Sequence, residues 1–297
     1  MNFLKQLLLE LQFRTRERLL KSDQEYEING VPVTIPRTHR LPLLQKIYPS
    51  YDTYFLKLFK LLNDHVNSGI FIDVGANVGD TTAAILSTAP KFQSVLVEGS
   101  PTFLPYMRLN SKQFGTRVSL VEEFLFCERN LETFYVDDGT TGSFQKGKTS
   151  DNSLKTSVSP ATLLSGITAD IVIWKSDTDG FDLPIFLENF ELITSNTKIW
   201  WLELHPHLMP TTPADVSILA SSLAELEAYG ALFDNYGKFI AAARGQDLKI
   251  LINSTVDLLD NSTRALGKRL QYFDLIAFHP ETGLNISNAD LIAALIN

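Results

Sequence analysis

Short apolar runs alternate with amphipathic stretches through the middle of the chain, and this alternation sets the expected architecture. Runs rich in β-branched and aromatic residues at 70–74, 94–98, 117–121, 171–176 and 199–204 predict strands. Helical spacing at 80–88, 101–110, 181–190 and 214–229 predicts the helices between and after them. Strands and helices in alternation imply a parallel sheet covered on both faces. Ser100-Pro101 and Ser159-Pro160 each read as an N-cap followed by a first-turn proline. Gly230 reads as the closure of the helix that begins near Ala214.

The two ends of the chain follow different patterns. Leu4, Leu8, Leu11 and Leu19 fall on one face of a predicted helix over 3–20, which suits packing or a homodimer contact. Lys and Glu together on its polar face disfavour a membrane-surface anchor. Tyr26–Ile35 predicts a hairpin around Asn29-Gly30. After an irregular stretch with Pro36, Pro42 and Pro49, an amphipathic helix is expected at about 51–66, stopped by Asn67-Ser68-Gly69. Residues 1–66 are therefore expected as a helical and hairpin extension capping a main domain of 67–297. Beyond residue 230, two strands around Asn235-Tyr236-Gly237 and a last one at 272–278 predict an antiparallel C-terminal edge. Asp137–Ser153 is polar and aperiodic, the signature of a substrate lid or of a solvated excursion.

Composition narrows the class. With 297 residues, 44% of them hydrophobic and 20% charged, the chain has the make-up of a soluble globular protein. A net charge of -8 argues against nucleic acid as a main partner, because a phosphate-binding face needs clustered Lys and Arg. The single cysteine, Cys127, forms no internal disulfide, so a reducing compartment, the cytoplasm, is expected. Leu7, Leu8 and Leu9 are interrupted by Glu10 and followed by arginines, unlike a signal peptide, and no run suits a transmembrane segment. The Asn-Ser-Thr triplets at 253 and 261 are then ordinary turn or helix chemistry.

The stretch IFIDVGANVGD, residues 70–80, carries the first candidate chemistry: a strand ending in an acid, a glycine-bounded turn and a helix start. Gly75 and Gly79 let backbone approach a ligand, and Asn77 stands where dinucleotide loops carry their middle glycine. A pyrophosphate would sit at the helix N-terminus. Here Asp73 and Asp80 flank that position, repel phosphate and suit a cation. Glu98 ends the next apolar run, where a carboxylate accepts hydrogen bonds from ribose hydroxyls. The pattern favours S-adenosyl-L-methionine over NAD, with Asp73, Gly75, Ala76, Asn77, Gly79, Asp80, Thr81, Glu98, Gly99 and Ser100 as cofactor-binding candidates.

A second constellation ends the fourth and fifth strands. Lys175, Asp177 and Asp179 fall on the same sheet edge as the loop, followed by Glu203 and His205. Asp177 or His205 is the expected general base; Lys175, Asp179 and Glu203 are substrate-binding candidates, with Lys175 neutralising Asp177 or touching substrate. His207 and His279 read as structural, and a divalent cation on Asp177, Asp179 and Glu203 is a variant.

With both constellations in place, the chain resembles the FkbM-type family of S-adenosylmethionine-dependent methyltransferases. The matching segments are FIDVGANVGDTT (71–82), VLVEGSP (95–101), WKSDTDGFDLPIF (174–186) and WLELHP (201–206), with Ser176 where members carry an apolar residue. The resemblance implies a Rossmann-like class I methyltransferase sheet and O-methylation of a hydroxyl on a small molecule, sugar or glycan. It places Asp73, Gly75, Asn77 and Gly79 at the methionine end of the cofactor and Glu98 on its ribose. A non-catalytic adenosylmethionine-fold binding module and an NAD-dependent oxidoreductase are the rival readings.

Overall fold

A computed structural model describes residues 15, 22–51, 53–125, 127–128, 133–137, 142–146, 157–208, 210–265 and 271–296. The helix expected at 3–20 lies outside them, apart from Thr15.

The chain opens with a hairpin, β1 (Gln24–Ile28) and β2 (Val31–Ile35), followed by α1 (Leu41–Ile47) and α2 (Leu56–His65). Asn29 and Gly30 at its tip both have positive φ, 48° and 79°, the requirement of a two-residue turn matched to strand twist. The α/β body then runs β3 (Gly69–Val74), α3 (Asp80–Thr88), β4 (Phe92–Val97), α4 (Leu104–Ser111), a 3-10 turn (Lys112–Arg117) and β5 (Val118–Val121). Small strands β6 (Phe124–Leu125), β7 (Thr133–Asp137), β8 (Gly142–Lys146) and β9 (Ser157–Val158) precede α5 (Pro160–Leu164). Next come β10 (Ile171–Ser176), α6 (Asp182–Glu188), α7 (Phe190–Asn196), β11 (Ile199–Leu204), α8 (Pro213–Glu225), β12 (Tyr229–Asp234) and β13 (Phe239–Arg244). The chain finishes with α9 (Gly245–Ala265), β14 (Phe273–Phe278) and α10 (Asn288–Ile296).

Eight strands form one sheet in the order β13-β12-β14-β11-β10-β3-β4-β5. β5, β4, β3, β10 and β11 are parallel; β14 runs antiparallel between β11 and β12, and β13 antiparallel on β12. This is the expected Rossmann-like α/β sheet, mostly parallel, with one difference. The last strand is not at the edge but inserted beside β11, which sequence order alone does not reveal.

Each strand of the parallel body feeds two cores because side chains alternate across the sheet. Trp200 packs with Trp174, Phe186 and the apolar faces of α6 to α9, whereas its neighbour Trp201 packs with Phe55, Phe59 and Phe233 beneath α2 and α10. Ile28, Val33, Ile35 and Leu41 of the N-terminal segment form a third cluster with Val78, Ala83, Ala84 and Phe103.

Several boundaries depart from the sequence reading. Ser159 caps α5 as expected, accepting from Thr162 N, but α4 starts at Leu104, with Ser100 Oγ accepting from Thr102 N in the turn before it. The helix expected at 181–190 breaks at Asn189 into α6 and α7. α8 ends at Glu225 and Glu227 takes the left-handed conformation at φ 56°, so Gly230 does not terminate it. Gly230 sits inside β12, where a Cβ would stand 2.8 Å from Leu248 Cδ1. Part of the stretch expected to be an aperiodic loop, 142–146, is a strand paired with β7; residues 138–141 and 147–153 lie outside the described residues. α9 and α10 were not anticipated. Among the described residues, no helix is long and apolar enough to cross a membrane.

One buried side chain ties the hairpin to the loop after β3. Asn110 is 4% exposed; its Oδ1 accepts from Thr34 N at 2.7 Å, and its Nδ2 donates to Thr34 O at 2.9 Å and Val78 O at 2.8 Å. Asn110→Ala strands these buried backbone groups and should destabilise the fold by roughly 1–3 kcal/mol. Urea denaturation checks this, and an unchanged midpoint would refute the tie.

Candidate functional site

The chain leaves β3 in one direction for β4 and β5 and returns on the other side as β10, so the order reverses between β3 and β10. Loops at the carboxyl ends of these strands face a crevice, the usual ligand position in open α/β sheets. The β3–α3 loop is held tightly there. Gly75 N and Ala76 N both donate to Val97 O at 3.0 Å, and Gly79 N donates to Ala76 O at 2.7 Å. Gly75 has φ 75°, and a Cβ on it would lie 1.8 Å from Asp177 O. The loops after β3 and β10 therefore interlock through a position that admits no side chain.

Beneath the loop lies a buried ion pair. Lys175, 3% exposed, places Nζ 3.0 Å from Asp73 Oδ1 and 3.4 Å from Asp177 Oδ2. Thr82 Oγ1 donates to Asp73 Oδ2 at 2.8 Å. Asp73 and Lys175 are direct partners in the β3–β10 register, which is why they meet. Asp73 lines neither cavity described below; it is an internal counter-ion, unlike its expected place beside the ligand.

Glu98 ends β4 and locks the loop from the opposite side. Its Oε2 accepts from Asn77 N at 2.8 Å and its Oε1 from Ser100 N at 2.7 Å. Burial pushes its carboxyl up to about 7, against the pull of these amides. Glu98 lines a narrow slot of about 70 Å³ with Gly75, Asn77, Gly99, Phe103, Phe124 and Phe181. Among its described lining residues Glu98, Glu123, Asp177 and Asp179 are acidic and none is Lys or Arg. An adenosine conjugate without phosphate fits that acidic lining, whose carboxyls can accept hydrogen bonds from ribose hydroxyls. A diphosphate does not.

The slot adjoins a cleft of about 630 Å³, within the size range of small-molecule sites. Gly75, Asn77, Asp177 and Asp179 line both. The cleft floor is the ends of β10, β11 and β14, with Lys175, Glu203, His205 and Asp274; its other wall is the segment His39–Tyr51. Glu203 is 7% exposed, with Oε2 lacking a hydrogen-bond partner, and sits opposite Asp274 in the β11–β14 register. Burial first, then Asp177 and the other nearby acids, raises the Glu203 carboxyl well above the ordinary range. Burial and Asp177 push Asp274 up to about 7. Burial lowers the His205 imidazole, so its neutral, proton-accepting form prevails at pH 7; its Nδ1 has no partner and its ring stacks on Tyr272 at 5.9 Å.

Most of the expected residues converge. Gly75, Ala76, Asn77, Asp80, Thr81, Glu98, Gly99, Lys175, Asp177, Asp179, Glu203 and His205 line the slot or the cleft. Gly79 shapes the loop at φ 80°, and Ser100 acts through its backbone on Glu98. Lys175 reaches Asp177, as one reading had it, but binds Asp73 more closely. Asp177, Asp179 and Glu203 do not form a chelating set: among the described residues no His, Cys, Asp and Glu group has metal-ligating geometry. The sequence reading missed Asp274, His39 and Asp182. Asp182 accepts from Thr178 N at 2.9 Å and Gly180 N at 3.3 Å, pinning the β10–α6 loop; an acid opening a helix after Asp-Gly was the available signal. His39 packs against Asp80, and burial lowers the imidazole while raising that carboxyl.

No protein-family model matches the chain, and no curated protein matches it in sequence. Solved structures match it in chain path. Human methyltransferase 10 domain containing protein is 12% identical over 94% of this chain and 98% of that one, with a TM-score of 0.43. A probable spermidine synthase from Corynebacterium glutamicum is 15% identical over 93% and 79%, TM-score 0.43. A precorrin-6y C5,15-methyltransferase from Geobacter metallireducens is 14% identical over 77% and 87%, TM-score 0.37.

Carboxyls raised in the folded state bind protons that the unfolded chain has already lost, so stability falls as pH rises between the two values. For Asp274 that window runs from about 4, its ordinary value, to about 7. Asp274→Asn should flatten the decline between pH 4 and 7, by up to about 1.4 kcal/mol per pH unit. Urea unfolding of both proteins at pH 5, 6 and 7 reads this; parallel profiles would show that Asp274 titrates normally.

Proposed function

We propose that this chain is an S-adenosylmethionine-dependent methyltransferase of FkbM type that methylates a hydroxyl on a small molecule or sugar. The observation that carries the reading is the junction of two cavities, a phosphate-repelling slot under Glu98 and a roomier cleft, across Gly75, Asn77, Asp177 and Asp179. A two-substrate transfer needs that arrangement: the donor seated in one cavity, the acceptor in the other, and the reacting atoms at the shared boundary.

When bound, S-adenosylmethionine would supply an electrophilic methyl group on a good leaving group. Glu98 would accept from the ribose hydroxyls, in a slot that Gly75 and Gly99 also line. Phe103, Phe124 and Phe181 would exclude water from that end. Interlocked loops after β3 and β10 fix the donor and acceptor positions relative to each other, and such alignment supplies on the order of 7–11 kcal/mol in favourable cases. His205, whose neutral form prevails at pH 7, or Asp177 would take the acceptor's hydroxyl proton, worth roughly 10²–10⁴-fold. The chain's own part is thus orientation and proton removal.

Calorimetric titration tests the donor half directly. S-adenosylmethionine should bind, NADH should not, and Glu98→Ala should weaken the first at least tenfold. Absence of S-adenosylmethionine binding, or NADH binding in its place, overturns the reading.

A further inference from the structure

Five carboxyls line the cleft, Asp80, Asp177, Asp179, Glu203 and Asp274, against Arg40 and Lys175 as the basic side chains among its described lining residues. Lys175 already stands within 3.0 Å of Asp73 and 3.4 Å of Asp177. Acids alone would not make a site, because carboxyls at a sheet edge often only meet water. Here Glu203 is more than nine-tenths buried, lines the cleft and leaves Oε2 without a partner. A buried acceptor left without a donor costs roughly 1–3 kcal/mol. Directly across the β11–β14 pair stands Asp274, half-buried, and like charges facing each other across strands are unfavourable. A donor bearing positive charge, seated between the two, would satisfy Oε2 and remove the repulsion. Aromatic rings stand around the same space: Trp201 beside Lys175, the Tyr48–Tyr236 stack at 3.9 Å, Tyr51 and Tyr272. Ring faces favour organic cations over hydrated metal ions.

We propose that Glu203 and Asp274 form an ammonium-binding subsite, so that the ligand of the cleft is an amine-bearing molecule such as an amino sugar. The ammonium anchors the ligand at β11 and β14, and a hydroxyl on the same molecule points back toward Asp177 and the slot. Binding leaves the ammonium protonated; Glu203 and Asp274 lose protons to solvent as the cation arrives, since an adjacent positive charge favours the carboxylate form. Calling this ligand the methyl acceptor rests on the proposed function; the subsite itself does not.

Glucosamine and N-acetylglucosamine separate charge from ring shape, the second lacking the ammonium. Calorimetry on the full chain without S-adenosylmethionine, at pH 6 in two buffers of different ionisation enthalpy, reads affinity and proton release together. Glucosamine should bind at least tenfold more tightly and release protons. Glu203→Gln and Asp274→Asn should each reduce both the preference and the proton release; either variant suffices if the other fails to fold. Equal binding of the two sugars, no binding of glucosamine, or a preference unchanged in the variants overturns the subsite. S-adenosylmethionine titrated separately keeps the outcomes apart: if it fails to bind while glucosamine binds, the donor reading falls and the ammonium subsite stands.

Discussion

One pleat before the carboxyl edge of the sheet, a single face changes from apolar to ionisable, and the site depends on that change. On β3 the step is Phe71 to Asp73, on β10 Ile173 to Lys175, and on β11 Trp201 to Glu203; on antiparallel β14 it is Ile276 to Asp274. Alternation keeps each pair on one face, so the row continues the core beneath α2 and α10. The charges are consequently desolvated by their own support. Breaking a buried pair such as Asp73–Lys175 leaves an uncompensated charge, at roughly 3–5 kcal/mol. The pair therefore holds the β3 and β10 ends in register, and those ends carry the two loops that interlock at Gly75.

The N-terminal segment takes part in the site. β2 reaches the β3–α3 loop through Asn110, His39 meets Asp80 at the start of α3, and Arg40 to Tyr51 form a cleft wall. Without that wall Glu203 and Asp274 would face water and their carboxyls would return toward ordinary values, because burial is the largest cause of both shifts. The wall thus sets the dielectric in which any acid or base here works.

The strands of the parallel body were legible because buried strands read as continuous apolar runs, and the acids at their ends were legible because a carboxyl after such a run has few structural reasons to be there. Partnerships were not. Lys175 looks closest to Asp177 along the chain, yet its nearest partner is Asp73, set by strand register across 102 positions. Asp274 sits in an ordinary strand whose insertion beside β11 is a tertiary fact, so nothing nearby in sequence marks it. His39 is a lone histidine in an irregular stretch, and α9 follows a strand without a sequence stop strong enough to have been read. Glu227, a non-glycine residue in the left-handed conformation, ended α8 where a glycine was sought.

Asp73 was expected to repel phosphate, but its charge is balanced by Lys175, and repulsion instead falls to Glu98, Glu123, Asp177 and Asp179 around the slot. On the proposed reading the same wall also bears on turnover. A methyl donor carries one positive charge more than the product it leaves behind, and the acidic wall distinguishes the two. Asp177 and Asp179 line both cavities, so the loss of that charge is felt at the acceptor boundary as well. On that reading an acidic wall favours the donor over its product.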